Sequence, residues 1–338
     1  MPPDAGGAVL VITGGGGFIG SVLAAALNDS GRSDLVIVDR FGTGDKWRNI
    51  AKRDFCDIVP VERLPAWLER YGADVEAVFH LGANSSTFED DADEIIATNL
   101  NASIALWRWC AAARKPLIYA SSAATYGDGS AGFDDAGDIA ALKRLRPLNL
   151  YGWSKHAFDL WAMREAALGH APPLWIGLKF FNVFGPNEYH KGEMMSLVAK
   201  NYRHVAAGET IRLFKSDRSD YADGAQCRDF VYVTDCAAVL LWLWQRGPGA
   251  NINGIYNVGT GEARSFLDLM NALGSACGAA PHIEFVDIPP AIGPNYQYFT
   301  EARMSRLRQA GYNAPFTPLE DAVADFVTHY LAQPDPYL

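Results

Sequence analysis

Short apolar runs alternate with helix-like stretches through the first half of the chain. The apolar runs are rich in Val, Ile, Leu and Phe, as is typical of strands buried on both faces of a sheet. They lie at 9–12, 35–38, 75–80, 116–121 and 174–180. The clearest helix-like stretches are 21–27, 94–114 and 154–168. This alternation predicts an α/β fold: a Rossmann-type, doubly wound parallel sheet that binds its ligand at the carboxyl ends of the strands.

The pattern loosens after about residue 185, where polar loops such as 215–228 separate shorter segments. A strand and a helix at 228–245, followed by an amphipathic helix at 318–331, indicate that the chain returns to the first domain. We therefore expect a smaller C-terminal substrate-binding domain beside the Rossmann domain. The predicted division assigns 1–180, with returns near 228–260 and 300–331, to cofactor binding, and 181–227 and 261–299 mainly to substrate binding.

A glycine-rich turn follows the first apolar run. Gly14, Gly17 and Gly20 lie between that run and a helix-like stretch, with Phe18 and Ile19 inside the motif. A dinucleotide-binding motif requires strand, glycine turn and helix in this order, because the backbone must approach a pyrophosphate at the helix N-terminus. A flexible glycine loop is the alternative, but the regular flanking segments favour the dinucleotide site.

Opposed charges follow the second apolar run. Asp39 lies 19 residues after Gly20, where an acid commonly accepts hydrogen bonds from the adenosine ribose and indicates NAD. Arg40 and Lys46 suit a 2′-phosphate by charge and, for arginine, by bidentate geometry. The two signals conflict, because an acid repels that phosphate. We predict NADP, with NAD as the alternative.

Small and polar residues follow two further runs, at the sheet edge where the cofactor is expected. After the run at 75–80 come Leu81, Gly82, Ala83, Asn84 and Ser85. Their small side chains permit close approach of backbone and cofactor. Ser122 follows the next run and could hydrogen-bond both a substrate hydroxyl and a reactive tyrosine; a polar turn is the alternative. Asn99, in a helix-like stretch, is either a cofactor ligand or a surface residue.

Tyr151 and Lys155 form a Tyr-x-x-x-Lys motif. Residues four apart share one face of a helix, so the phenol and the ammonium can address the same target. A free phenol, with a pKa near ~10, is a poor base at neutral pH, and a neighbouring cation favours its ionised form. A chance surface pair is the alternative, but the glycine-rich turn upstream favours a proton-transfer pair.

Composition and charge exclude other classes of function. The 338-residue chain has a net charge of −10 and no long basic run, so we expect no nucleic-acid partner. Its five cysteines show no Cys-x-x-Cys spacing, which predicts neither a metal site nor a disulfide framework. The start lacks a signal-peptide pattern, and the most apolar run, 237–244, is too short to span a bilayer. We expect a cytoplasmic protein without a membrane partner.

Four motifs together resemble the extended short-chain dehydrogenase/reductase superfamily. They are the glycine-rich segment at 13–20, Ser-Ser-Ala-Ala-Thr-Tyr-Gly at 121–127, Tyr-x-x-x-Lys at 151–155 and Arg-Asp-Phe-Val at 228–231. They occur in the order typical of that superfamily and span most of the chain. The resemblance implies a dinucleotide-dependent enzyme on a Rossmann fold, but it does not choose among epimerases, dehydratases and reductases.

A further segment narrows the resemblance. Residues 180–186 carry the Asn-Val-Phe-Gly-Pro motif of sugar-nucleotide enzymes. The next segment, Glu-Tyr-His-Lys-Gly-Glu-Met at 188–194, is similar to the ADP-L-glycero-D-manno-heptose 6-epimerase family. That family makes a precursor of the lipopolysaccharide inner core. Other segments that agree with this family are 149–152, 297–300 and 310–312. The departures from its pattern are Arg40, Leu81, Asn84 and a longer loop at 215–226.

Inverting a sugar carbinol by oxidation and reduction requires that hydride return to the opposite face of a ketone. One phenol cannot easily reach the carbinol oxygen in both orientations, so a second titratable group is needed. The resemblance gives these two roles to Tyr151 and Lys191, assisted by Ser122 and Lys155. A solvated loop lysine or a diphosphate contact is the alternative for Lys191.

The motifs and the resemblance together predict the binding residues. The cofactor set is Gly14, Gly17, Phe18, Ile19, Gly20, Asp39, Arg40, Lys46, Leu81, Gly82, Ala83, Asn84, Ser85, Asn99, Tyr151, Lys155, Val183 and Lys191. The substrate set is Ser122, Asn182, Glu193, Lys200, Phe214, Lys215, Ser216, Asp217, Arg228 and Tyr296. Arg228 also has chemical support, because an arginine suits bidentate contact with a diphosphate. Ordinary packing is the alternative for Tyr296.

We therefore expect an isomerase that epimerises C6″ of an ADP-heptose with NADP, which is tightly held because the net redox change is zero. Another sugar-nucleotide 4-epimerase or a dehydratase is the first alternative, although residues 123–125 offer no acid pair of the kind a dehydratase uses. A non-catalytic NADP-binding regulator is the second, and the intact Tyr151, Lys155 and Ser122 argue against it. The resemblance also implies a homo-oligomer, a pentamer.

Overall fold

The computed structural model describes residues 7–135, 137–290 and 296–338. Its strands are β1 (Val9–Thr13), β2 (Leu35–Val38), β3 (Asp57–Val59), β4 (Val75–His80), β5 (Leu117–Ser122), β6 (Trp175–Phe180), β7 (Asn182–Phe184), β8 (Thr210–Phe214), β9 (Cys227–Tyr232), β10 (Gly254–Val258), β11 (Ala263–Ser265) and β12 (His282–Val286). Its α-helices are α1 (Phe18–Asp29), α2 (Leu64–Tyr71), α3 (Ala92–Ile95), α4 (Ala102–Ala113), α5 (Ile139–Leu142), α6 (Leu150–Ala167), α7 (Leu197–Ala206), α8 (Val233–Arg246), α9 (Phe266–Cys277), α10 (Ser305–Gln309) and α11 (Leu319–Phe326).

Seven parallel strands of the described chain form the central sheet, in the order β3-β2-β1-β4-β5-β6-β10. The chain order reverses between β1 and β4, which is the switch point where open α/β sheets bind their ligands. Every residue of β1, β2, β6 and β10 is buried, as expected for strands covered on both faces. The predicted Rossmann-type sheet is confirmed.

The predicted elements agree with the structure except at helix ends. Each of the five predicted strands is present, and none of its ends differs by more than one residue. The helix predicted to begin at 154 begins instead at Leu150, because the Asn149 side chain caps it by accepting a hydrogen bond from the Gly152 N–H (2.8 Å). Tyr151 therefore lies in the first turn of α6. The stretch predicted at 94–114 is interrupted by a π-helical segment, Ile96–Asn101.

A second hydrophobic core lies beside the central sheet and contains buried residues of β8, β9, α7, α9 and α11, among them Leu213, Phe230, Leu273 and Phe326. The strand predicted near 228 is β9, which pairs with β7 and β11 in a small sheet of its own. The chain returns to the central sheet through β10. Helix α8 packs against α1 through Val233. The division into two domains stays a prediction.

Candidate active site

The glycine-rich turn joins β1 to α1 at the switch point. Gly14 has a φ of +69°, and a Cβ at this position would lie 2.6 Å from the Gly82 nitrogen in the turn after β4. A Cβ on Gly20 would lie 2.1 Å from the Gly14 carbonyl oxygen, so both positions require glycine. No described side chain caps α1 after Gly17, and its first turn carries no acid. Its free N–H groups and this close-packed backbone fit a dinucleotide pyrophosphate.

An ion pair lies at the end of the site that would hold the adenosine. The Gly16 N–H donates to Asp39 Oδ2 (2.8 Å), and Lys46 Nζ donates to Asp39 Oδ1 (2.6 Å). Lys46 therefore offsets the carboxylate charge that would repel a 2′-phosphate. The Arg40 guanidinium pairs with Glu62 at the surface, where both side chains are more than half exposed.

A cavity of 720 Å³ continues from this ion pair between α2 and α4. Leu64, Leu68, Leu106 and Trp109 contribute an apolar wall that suits a planar base. The residues of the predicted cofactor set that line it are Gly14, Asp39, Arg40, Lys46, Gly82, Ala83 and Asn84. This cavity is the best location in the structure for the adenosine of a dinucleotide.

Asn99 is buried behind the turn that follows β4. Its Oδ1 accepts from the Asn84 N–H (2.8 Å), and its Nδ2 donates to the Asn84 carbonyl (2.9 Å) and lies 3.1 Å from Ser154 Oγ. The amide thus ties this turn to α6. Asn99 is not among the residues that line the cavities of the described structure, so its geometry suits positioning of the turn.

Tyr151 and Lys155 extend from α6 to the carboxyl edge of the sheet. Lys155 Nζ donates to the Ala120 carbonyl (2.8 Å), and burial lowers the Lys155 pKa to about 8, an effect that Asp159 opposes. Burial raises the pKa of Tyr151, and a hydrogen bond with Ser122 opposes that increase. Without a ligand, Tyr151 is therefore a neutral phenol. It can act as a base once a cationic cofactor ring adds positive charge.

The buried Lys155 ammonium leads to a prediction about stability. Its folded-state pKa is depressed from 10.5 to about 8, so its burial opposes folding below pH 8, and this opposition fades as the pH rises toward 10.5. Methionine removes a cost of up to about 3 kcal/mol at pH 7, less about 1 kcal/mol for the Ala120 carbonyl that loses its donor. We expect Lys155→Met to be inactive and to have a higher Tm than the parent at pH 7.

Calorimetry at pH 7 and pH 9.5 checks this expectation. The gain in Tm should be smaller at the higher pH, because the parent ammonium is then largely neutral. Lys143→Met, at an exposed position, is the matched control and should leave Tm unchanged at both values. A Tm at pH 7 below that of the parent would show that the buried lysine stabilises the fold.

Lys191 reaches the same region from a different element, the 3₁₀ segment Tyr189–Met194 that follows β7. Its Nζ lies 5.1 Å from the centroid of the Phe18 ring, in a cation–π arrangement. Burial lowers the pKa of Lys191, and the Glu188 carboxylate opposes that effect. No carboxylate of the described chain forms a salt bridge with Lys191, so its amine is available to exchange a proton.

Tyr151, Ser122 and Lys191 lie where two cavities meet. One, of 260 Å³, runs along the glycine-rich turn, and the other, of 460 Å³, opens toward Arg228. The predicted cofactor residues that line the first are Gly14, Gly17, Phe18, Ile19, Gly20, Asp39, Lys46, Leu81, Gly82, Ala83, Ser85, Tyr151, Lys155, Val183 and Lys191. A ligand that extends from one cavity into the other would pass these three side chains.

Arg228 supplies an unpaired cation to the second cavity. The side chain is buried, with its guanidinium carbon 5.4 Å from the ring centroids of both Phe266 and Tyr296. It donates to the Cys227 carbonyl (2.9 Å), and no carboxylate of a described residue pairs with it. Burial lowers its pKa. Because a buried cation without a counter-ion is costly, this geometry suits an anionic ligand. Asn182 lines the same cavity.

The remaining predicted substrate residues lie outside the lining of this cavity. They are Glu193, Lys200, Phe214, Lys215, Ser216 and Asp217. Lys200 pairs with Glu193 (3.0 Å), and Phe214 packs edge-on against Tyr296 with 5.9 Å between ring centroids. The Asp217 N–H donates to the Tyr298 hydroxyl (2.8 Å). The contact of these six residues with substrate stays a prediction.

Several lining residues were not predicted from the sequence. They are Ala120, Ser121, Phe180, Phe181 and His190 in the first cavity, and Thr87, Met194, Ser196, Phe266, Gln297 and Thr300 among those in the second. Phe180 and Phe181 match an ordinary buried strand, so hydrophobicity alone conceals them. For His190, the available signal in the sequence was its position next to Lys191.

Within the described ranges, no cluster of three or more His, Cys, Asp or Glu side chains could hold a metal ion. The same part of the chain contains no helix with the length and hydropathy needed to cross a membrane.

The fold and the site define a class of protein. The model of the NAD dependent epimerase/dehydratase family matches residues 10–259, and the chain belongs to that family. The ADP-L-glycero-D-manno-heptose-6-epimerase of Nitratidesulfovibrio vulgaris strain DP4 is 48% identical over 330 residues, which cover 97% of this chain and 99% of that protein. The protein of the same name from Fusobacterium nucleatum is 42% identical and covers 98% of this chain and 100% of its own length.

Solved structures of epimerases are also similar to this chain. The crystal structure of Helicobacter pylori ADP-L-glycero-D-manno-heptose-6-epimerase is similar at a TM-score of 0.76 and 26% identity, over 96% of each chain. The Thermus thermophilus UDP-glucose 4-epimerase complex with NAD is similar at a TM-score of 0.75 and 25% identity, over 95% of this chain and 98% of that one. The family therefore uses a nicotinamide dinucleotide.

Proposed function

We propose that this chain is an isomerase that converts ADP-D-glycero-β-D-manno-heptose to its L-glycero epimer at C6″, for synthesis of the lipopolysaccharide inner core. The observation that carries the proposal is that Tyr151 and Lys191, which belong to different elements, both line the 260 Å³ cavity and the 460 Å³ cavity. The full-length similarity to heptose epimerases at 40–48% identity supports the choice of substrate.

The dinucleotide would extend from the 260 Å³ cavity along the glycine-rich turn into the 720 Å³ cavity between α2 and α4. The glycine-rich turn and the N-terminus of α1 would hold the pyrophosphate, and Asp39 with Lys46 would hold the adenosine ribose. When bound, the dinucleotide supplies the chemistry of hydride removal and return. The chain supplies the proton chemistry at the carbinol oxygen and keeps the dinucleotide in place between the two half-reactions.

Tyr151 serves one orientation of the sugar. The hydrogen bond with Ser122 favours the phenolate that takes the C6″ hydroxyl proton, and the positive charge of a bound nicotinamide ring would favour it further. Lys191 serves the other orientation. Its lowered pKa allows the amine to give up or take a proton at the same oxygen when the opposite face of C6″ is presented. Inversion at C6″ requires two proton-exchanging groups that can reach the same oxygen, whereas a simple reductase needs one such group.

The second cavity would hold the ADP. Its buried Arg228 suits the diphosphate, because a bidentate guanidinium–phosphate contact replaces the counter-ion that the described residues do not supply. Tyr296 and Phe266 flank that guanidinium and keep it aimed into the cavity.

We further propose that the dinucleotide is NADP, because Lys46 offsets Asp39 and because Arg40, which lines the adenosine cavity, could exchange its exposed pairing with Glu62 for a 2′-phosphate. Arg40→Ala together with Lys46→Ala is expected to lower the ratio of NADP to NAD in the purified protein by about 10-fold or more, since each cation contributes a charge-assisted hydrogen bond. Mass spectrometry of the released dinucleotides measures this ratio. Glu62→Gln, which frees Arg40, should maintain or raise it. An unaltered ratio in the double variant would contradict the NADP assignment.

A substrate panel tests the activity. The purified protein, without added cofactor, should convert ADP-D-glycero-β-D-manno-heptose and leave UDP-glucose and UDP-galactose unchanged. Conversion of a UDP-hexose alone would favour the 4-epimerase alternative. Loss of water from any of these compounds would indicate a dehydratase. No conversion, together with retained dinucleotide, would revive the non-catalytic alternative. The homo-oligomeric state stays a prediction.

A further inference from the structure

Residues 334–338 cross over the loop that carries Lys191. The Tyr189 phenol donates to the Pro336 carbonyl (2.8 Å), and the Leu338 N–H donates to Asn187 Oδ1 (3.0 Å). The rings of Tyr189 and Tyr337 pack edge to face with 5.2 Å between centroids. Two residues of the loop that precedes Lys191 are therefore held by this segment, which we call the strap.

The other side of the strap contacts the segment that follows Lys46. Lys52 Nζ donates to the Tyr337 carbonyl (2.6 Å), and the Arg48 guanidinium carbon lies 4.6 Å from the Tyr337 ring centroid. The strap therefore contacts both the segment that follows Lys46 and the loop that precedes Lys191. Both lysines line the 260 Å³ cavity along the glycine-rich turn.

Asn187 connects the strap to the glycine-rich turn. It is fully buried, with a φ of +72°, and its Nδ2 donates to Ser21 Oγ in α1 (3.0 Å) and to the Asn49 carbonyl (3.3 Å). Asn49 Nδ2 in turn donates to the Gly16 carbonyl (3.0 Å) and lies 3.2 Å from His190 Nδ1. The loop before Lys191 is therefore fixed on both sides, by the strap and by the turn.

We propose that the strap positions Lys191. The lysine forms no salt bridge with a described residue, so its placement depends on the backbone of the 189–194 segment and on the Phe18 ring. Releasing the strap removes its contacts with Tyr189 and one of the three hydrogen bonds of the Asn187 amide. The loop before Lys191 is then held on one side only, which lets the 189–194 segment move and exposes the amine to water. The catalytic consequence rests on the proposed function of Lys191, whereas the placement of the amine does not.

Lysine acylation tests the placement directly. The full chain, a chain that ends at residue 333, and the Asn187→Gly protein are treated briefly with an acylating reagent, and each lysine is quantified by mass spectrometry. Glycine accepts the positive φ at 187 while removing every amide hydrogen bond, so this variant separates loss of the anchor from backbone strain. We expect Lys191 to be acylated several-fold faster in both variants, whereas Lys155, a buried residue of α6, keeps its rate.

The kinetic consequence is measured in the same proteins. A displaced amine should lower kcat for epimerisation by about 10²-fold and leave KM unchanged, because misplacement affects the reaction more than binding. Gln333→Ala is the control: its exposed side chain contacts Thr328, not the loop, so both acylation and kcat should match the parent.

Each outcome decides the proposal. Unchanged acylation of Lys191 in both variants overturns it. If Lys191→Met has a lowered kcat, then faster acylation of Lys191 with an unaltered kcat in the two strap variants also overturns the proposal. Full activity of Lys191→Met overturns the proposed function instead, and acylation alone then decides whether the strap positions the lysine.

Discussion

The Lys191→Met protein is expected to interconvert the two ADP-heptose epimers about 10²- to 10⁴-fold more slowly than the parent, the range that one general acid–base group contributes. Methionine keeps the length and the apolar contact with Phe18 but cannot exchange a proton. Oxidation of the epimer served by Tyr151 should still occur. The measurement is stopped-flow absorbance of the reduced nicotinamide after mixing with each pure epimer, combined with the steady-state epimerisation rate.

The expected pattern for Lys191→Met is asymmetric. One epimer should produce reduced nicotinamide that then persists, because the ketone cannot be protonated from the other side. The opposite epimer should give no signal. Lys143→Met, an exposed lysine substitution, should behave as the parent does with both epimers. Equal loss of signal with both epimers would mean that Lys191 binds the substrate and does not serve one face.

Tyr151→Phe is expected to reduce epimerisation by a similar factor of about 10²- to 10⁴-fold, with the opposite asymmetry. The phenyl ring preserves the packing of α6 and removes only the hydroxyl that hydrogen-bonds Ser122. The epimer that Lys191→Met still oxidises should now be inert, and the other should give reduced nicotinamide that persists. Purified Tyr151→Phe should keep its dinucleotide, which excludes an effect on binding.

The matched control for this variant is Tyr71→Phe, which removes a phenol on α2 outside the lining of the site cavities. It should have parental kinetics with both epimers. If Tyr151→Phe and Lys191→Met lose the same epimer, the two groups act in series on one face. The assignment of one group to each face would then be wrong.

The central fold was predictable because its signal is local. The five predicted strands β1, β2, β4, β5 and β6 are largely apolar runs bounded by turns, and a strand buried on both faces produces that pattern whatever its partners are. Helix ends were less predictable. Because Asn149 caps α6, the helix begins at Leu150, before the segment with apolar periodicity, and Tyr151 lies in its first turn. Hydrophobic periodicity alone does not show this earlier start.

Some candidate site residues could likewise be predicted from short sequence motifs, and others could not. Gly14, Gly20, Tyr151 and Lys155 belong to short motifs in which spacing dictates geometry, so the sequence identified them. Lys191 required a family resemblance, since a lysine in a loop has no distinguishing pattern. Arg228 has no carboxylate partner among the described residues, and this is a property of its three-dimensional surroundings, as is the contact between the strap and the loop before Lys191. Such long-range contacts join residues that share no local periodicity.

The measurement that tests the account most directly follows hydrogen at C6″. ADP-D-glycero-β-D-manno-heptose deuterated at C6″ is incubated with the purified protein in ordinary water, without added dinucleotide, and the product is analysed by NMR. The account predicts the L-glycero epimer with deuterium retained at C6″, because hydride leaves and returns at the same carbon within one closed site. Product without deuterium at C6″, or no L-glycero product at all, would contradict it.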